Sequence, residues 1–144
     1  MKGAEMVHTV LAVMLLGAAT TGGQVETAPQ VAGVWRGTSE CMVKNSPCHD
    51  ETNVYRITAI AGKSYRYRVA GSKIVDGQEI AMGPTLNWDY DPRIRTLTFA
   101  VGNGHFWLKV DGDTMDGGLM LADMTVYRKI HLERVKARDE GEKR

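Results

Sequence analysis

The chain lacks most of what active sites are assembled from. It contains no Gly-x-Ser-x-Gly nucleophile turn, no phosphate-binding loop and no lone cysteine to serve as a reactive thiol. Charge of one sign is also missing: 18 Lys and Arg stand against 17 Asp and Glu, a net of +1. With acids and bases interspersed, that balance argues against nucleic acid or an acidic lipid surface as the main partner. No apolar run is long enough to span a bilayer as a helix, so no membrane span is expected. Nor does any stretch of ten residues downstream of residue 33 keep a helical apolar period, which excludes a helical bundle. With no catalytic constellation, the expectation is a protein that is not an enzyme and needs no cofactor.

The longest apolar run, residues 10–19 (VLAVMLLGAA), follows Lys2 and precedes small residues. That is the layout of a cleavable signal peptide over residues 1–23, and it implies export to the periplasm or beyond. Residues 24–32 then form a leader, residues 33–135 the folded domain, and residues 136–144 (KARDEGEKR) a solvated, charged tail. Both cysteines, Cys41 and Cys48, fall in the exported part, where a disulfide between them is expected. The rival is a metal pair helped by the adjacent His49, Asp50 and Glu51. The six-residue gap fits no common zinc knuckle, and three consecutive side chains do not converge easily on one ion. No metal site is expected.

From Gly33 onward the apolar period is two, broken by turn signals. Strands are expected at 34–43, 53–60, 64–69, 72–75, 78–82, 85–90, 95–101, 105–110, 114–121 and 125–135. Asp76-Gly77, Asp91-Pro92, Gly102-Asn103-Gly104 and Asp111-Gly112-Asp113 lie between them and supply the backbone angles of tight turns. Every connection is short, so neighbouring strands should pair. A meander of about 8–10 strands avoids two exposed edges by closing on itself. The expected fold is an all-β, antiparallel, up-and-down barrel with the last strand beside the first.

Parity assigns the faces. Tyr65, Tyr67, Trp88, Tyr90, Phe99 and Phe106 all fall on the dry face, together with Val126, Ile130 and Leu132 of the last strand. Those six aromatics are the candidate lining of a ligand-holding lumen, because several hydroxyls among aromatic rings suit a small-molecule pocket. His105, Trp107 and His131 fall on the wet face.

The first strand opens Gly33-Val34-Trp35, and here the chain resembles the lipocalins and related small barrels, the calycins. That resemblance implies a lipocalin-like barrel closed by Gly33, Trp35 and a late arginine packed over the indole. Arg134 is the candidate and Arg128 the second choice. Departures are a short mature chain, no Thr-Asp-x-x-Tyr in the middle loop, no helix after the barrel and a local disulfide. The stretches Trp35-Arg36-Gly37-Thr38-Ser39, Ser46-Pro47-Cys48-His49-Asp50-Glu51, Lys73-Ile74-Val75-Asp76-Gly77-Gln78-Glu79 and Tyr127-Arg128-Lys129-Ile130-His131 are similar to uncharacterised small exported bacterial proteins. The function expected is an exported binding protein holding a small apolar or aromatic molecule. The alternative is a protein-binding barrel such as a periplasmic protease inhibitor, with residues 24–32 as its contacting trunk.

Overall fold

The computed structural model describes residues 31–136. The expected signal peptide and most of the leader and tail lie outside the described residues. Among the described residues nine strands follow one another: β1 Gly33–Cys41, β2 Glu51–Ile60, β3 Lys63–Val75, β4 Gln78–Ala81, β5 Leu86–Asp91, β6 Thr96–Val101, β7 Gly104–Asp111, β8 Thr114–Leu121 and β9 Val126–Arg134. All pairings are antiparallel, and eight of these strands close into an up-and-down barrel. Closure comes from β1 beside β9, in register from Trp35 opposite Arg134 to Cys41 opposite Arg128. An eight-strand antiparallel barrel is compatible with a lipocalin-like small barrel.

Two expected strands, 64–69 and 72–75, are one. The chain does not turn at Ala70-Gly71; these residues pair with Arg56 and Tyr55 of β2, and the ladder runs on. Gly71 serves close approach there, since a Cβ on it would stand 3.0 Å from the Tyr55 ring. One expected neighbour pairing also fails. β5 pairs with the first half of β3, through Arg66 to Val69, while β4 folds back on the second half, through Ser72 to Val75. β4 is therefore a spur on the barrel wall, clamped by the ion pair of Arg56 with Glu79.

Up-and-down connectivity sorts the turns to two ends. Trp35, Asp113 and Arg134 mark one end. The other end, the mouth, carries the disulfide loop between β1 and β2, the β3–β4 hairpin, and the β6–β7 and β8–β9 turns. The core occupies the half nearer Trp35. Trp35, Ile57, Leu97, Leu108, Val110, Met115, Ile130 and Leu132 are all buried there, alternating along their strands with outward polar residues. Among the described residues no helix is long and apolar enough to cross a membrane.

Candidate functional site

The Trp35 end is sealed by a short chain of contacts. The indole nitrogen of Trp35 donates a hydrogen bond to the Val31 carbonyl at 3.0 Å, and Val31 itself is fully buried. The guanidinium carbon of Arg134 lies 4.2 Å from the indole centroid. Arg134 Nη1 donates to the Ala32 carbonyl at 2.8 Å, and Nε to Asp113 Oδ1 at 2.9 Å. Gly33 is required beneath it. Its φ is +142°, and a Cβ there would stand 2.6 Å from Arg134 Nη1.

Above the packed half lies an aromatic layer built from the adjacent strands β5, β6 and β7, met by β2. Trp88 of β5 stacks on Phe99 of β6 at 5.7 Å and 13°, meets Phe106 of β7 at 5.5 Å, and meets Tyr55 of β2 at 6.2 Å. All three separations fall within the range of attractive ring pairs. The Trp88, Phe99 and Phe106 rings form one wall of a cavity of about 260 Å³ in the mouth half of the barrel. Leu86, Val101, Met82 and Pro84 continue the apolar lining toward the mouth.

The opposite wall is polar, set by the mouth ends of β1, β2 and β9. Ser39, Glu51, Asn53, Tyr55 and Arg128 all line the cavity. Arg128 Nη1 donates to the Ser39 hydroxyl at 3.2 Å, to the Ser39 carbonyl at 3.4 Å and to the His49 carbonyl at 3.2 Å. Glu51 lies 3.4 Å from Lys73 Nζ and 3.7 Å from Arg128 Nη1, and accepts from Asn53 Nδ2 at 3.4 Å. Burial of Tyr55 pushes its hydroxyl up to about 12; Arg128 pulls it down and Glu51 pushes it up by smaller amounts.

The disulfide loop is tied to this wall. Cys41 and Cys48 are bonded, their Cα atoms 5.8 Å apart. Asp50 Oδ1 accepts from the Cys41 N–H at 2.8 Å, while the His49 carbonyl holds Arg128. A disulfide fits an oxidising compartment. Among the described residues no group of three or more His, Cys, Asp or Glu side chains is placed to hold a metal ion.

Of the six aromatics expected to line a lumen, the structure brings three to the cavity: Trp88, Phe99 and Phe106. Tyr67 and Tyr90 meet edge to face at 6.0 Å within or against the core and are not among the cavity residues. The Tyr90 hydroxyl is buried there without a hydrogen-bond partner among the described residues. Tyr65 does not reach the interior. The β2–β3 register slips between Ala59 and Ile60, Tyr65 takes a φ of +62°, and its side chain is 55% exposed. A bulge of this kind breaks strict alternation, which is why parity misplaces it. Val126, also expected inside, is exposed at the mouth, beyond a second slip between Leu119 and Met120.

The polar wall was missed for a different reason. Arg128 has the same parity as Ile130 and Leu132, and Glu51 and Asn53 the same as Tyr55 and Ile57. Counting every residue on those faces, rather than the apolar ones alone, would have found it. No protein-family model matches this chain, and no curated protein does.

Proposed function

We propose that this is an exported, non-enzymatic binding protein holding a small aromatic or apolar molecule in the mouth half of its barrel. The observation that carries the reading is the cavity of about 260 Å³ walled by Trp88, Phe99 and Phe106. A filled barrel would have packed those rings against the opposite wall. The volume narrows the guest. An apolar cavity of about 150 Å³ takes up benzene, and pockets for drug-sized ligands start near roughly 300 Å³. A guest of one or two fused rings fits between those limits, whereas a haem or a long acyl chain is too large. The mouth offers an apolar approach, since Met42, Ile80, Met82 and Met124 are exposed around it. Export is supported by the signal-like residues 1–23 and by the Cys41–Cys48 bond.

The test is calorimetric titration of the protein with naphthalene-sized guests carrying neutral, anionic or cationic substituents. At least one is expected to bind with micromolar affinity, equivalent to about 8 kcal/mol. Phe106→Ala should change that affinity more than Trp107→Ala, because Trp107 lies on the outward face. If no member of the panel binds, the small-molecule reading is overturned. The exposed apolar mouth then favours the second reading, a barrel whose partner is another protein.

A further inference from the structure

Arg128 and Glu51 line the polar wall of the cavity and Lys73 meets Glu51 beside it, so this cluster sets two cations against one carboxylate. Lys73 and Arg128 both face the single carboxylate of Glu51, at 3.4 and 3.7 Å, with the exposed His49 Nε2 a further 3.8 Å neighbour. Glu51 is shared between the two cations and also accepts from the Asn53 amide, so one carboxylate balances two positive charges. The Arg128 side chain is only 16% exposed, so its charge sits where screening by solvent is weak. Three acceptors share its Nη1, yet Nε and Nη2 have no acceptor among the described residues. The hydroxyl of Tyr55 has none there either, although Tyr55 is only 5% exposed and lines the same cavity.

We propose that the cavity takes a flat aromatic acid, its ring on the Trp88, Phe99 and Phe106 wall and its carboxylate accepting from Arg128 and Tyr55. This rests on the small-molecule reading given above and specifies the guest. Two donors of a guanidinium match the two oxygens of a carboxylate, a geometry that a lysine ammonium does not reproduce. One negative charge balances the excess of this cluster, whereas a cationic guest would add a third charge beside Lys73 and Arg128. The Tyr55 hydroxyl, pushed up by burial to about 12, is protonated at neutral pH and so available as a donor. The volume admits one or two rings with one carboxylate.

The experiment compares 2-naphthoate, neutral 2-naphthamide and 2-naphthylmethylammonium by isothermal titration calorimetry on the full chain at one ionic strength. Naphthoate is expected to bind about tenfold or more tighter than the amide, as charge-assisted hydrogen bonds require. The ammonium should bind weakest. Arg128→Met should erase the preference for naphthoate. Because Arg128 also anchors the disulfide loop, Tyr55→Phe supplies an independent variant, expected to weaken naphthoate binding by about threefold or more. If the amide binds as tightly as naphthoate, the acid proposal is overturned while the small-molecule reading stands. If naphthoate keeps its advantage in both variants, Arg128 and Tyr55 are not its subsite and the proposal also falls. If none of the three binds, both readings fall together.

Discussion

Arg134 and Trp35 sit opposite one another in the β1–β9 register, and the guanidinium of one covers the indole of the other at 4.2 Å. The contact joins the first strand to the last, so it closes the barrel as well as its end. The indole contributes buried apolar area and the arginine contributes ring stacking and two hydrogen bonds. Trp35→Ala should therefore cost about 3–5 kcal/mol, as large core deletions do. Arg134→Ala should cost less, about 1–2 kcal/mol, through the lost cation–ring contact and bonds. Urea denaturation of both variants checks the order; equal midpoints for wild type and Trp35→Ala would contradict the sealing role.

The Cys41–Cys48 bond closes a loop of eight residues, and in the chain-entropy model a loop that small is worth roughly 2–3 kcal/mol. Labelling of unfolded, unreduced protein with a thiol reagent should modify neither cysteine. The double Cys41→Ser, Cys48→Ser variant should lose about that stability. It should also weaken binding of any guest held by Arg128, because the loop supplies the His49 carbonyl that orients this side chain.

Gly71 sets the space left beside Tyr55 at the cavity. A Cβ there would stand 3.0 Å from Tyr55 Cε1 and 3.2 Å from Met82 Cε, both cavity-lining side chains. Gly71→Val should intrude on the cavity and lower guest affinity about tenfold or more, while a β-branched residue suits the strand itself. Calorimetric titration beside thermal unfolding reads both effects; unchanged affinity would place the guest elsewhere.

On the outer face, His131 Nδ1 lies 2.6 Å from Asp116 Oδ1, and that hydrogen bond holds the imidazolium above its ordinary 6.5. A histidine raised in the folded state contributes stability that is fully present below about pH 6.5 and lost as pH rises through the folded value. The melting temperature of the wild type should accordingly fall relative to Asp116→Asn on going from pH 6 to pH 8. An NMR titration of His131 should show the raised midpoint in the wild type and its loss in the variant.

The strand periods were legible because every β strand with one dry face must alternate, and the turn residues between them are fixed by backbone sterics. Closure was legible from connection length, since short links force neighbours to pair. The contact of Trp35 with Arg134 was implied by the lipocalin resemblance, and placing the last strand beside the first picked out Arg134 for it. Gly71 was misread as a break because a glycine in a strand and a glycine in a turn look alike in sequence. Only the Tyr55 ring packed against it across the ladder decides between them.

By itself, then, the sequence determined the all-β class, the closure of the last strand on the first and the local pairing of two cysteines, all consequences of short-range chemistry and of alternation. The tertiary structure alone decided which inward residues meet. Two register slips sent Tyr65 and Val126 out to solvent. The depth of each residue along the barrel axis kept Tyr67 and Tyr90 with the packed half and raised Trp88, Phe99 and Phe106 to the cavity wall. The same depth brought Arg128, Glu51 and Tyr55, from strands far apart in the chain, to one wall. Alternation gives the face of a strand on which a side chain lies, but height in the barrel depends on strand stagger, which arises only when all eight strands pair at once.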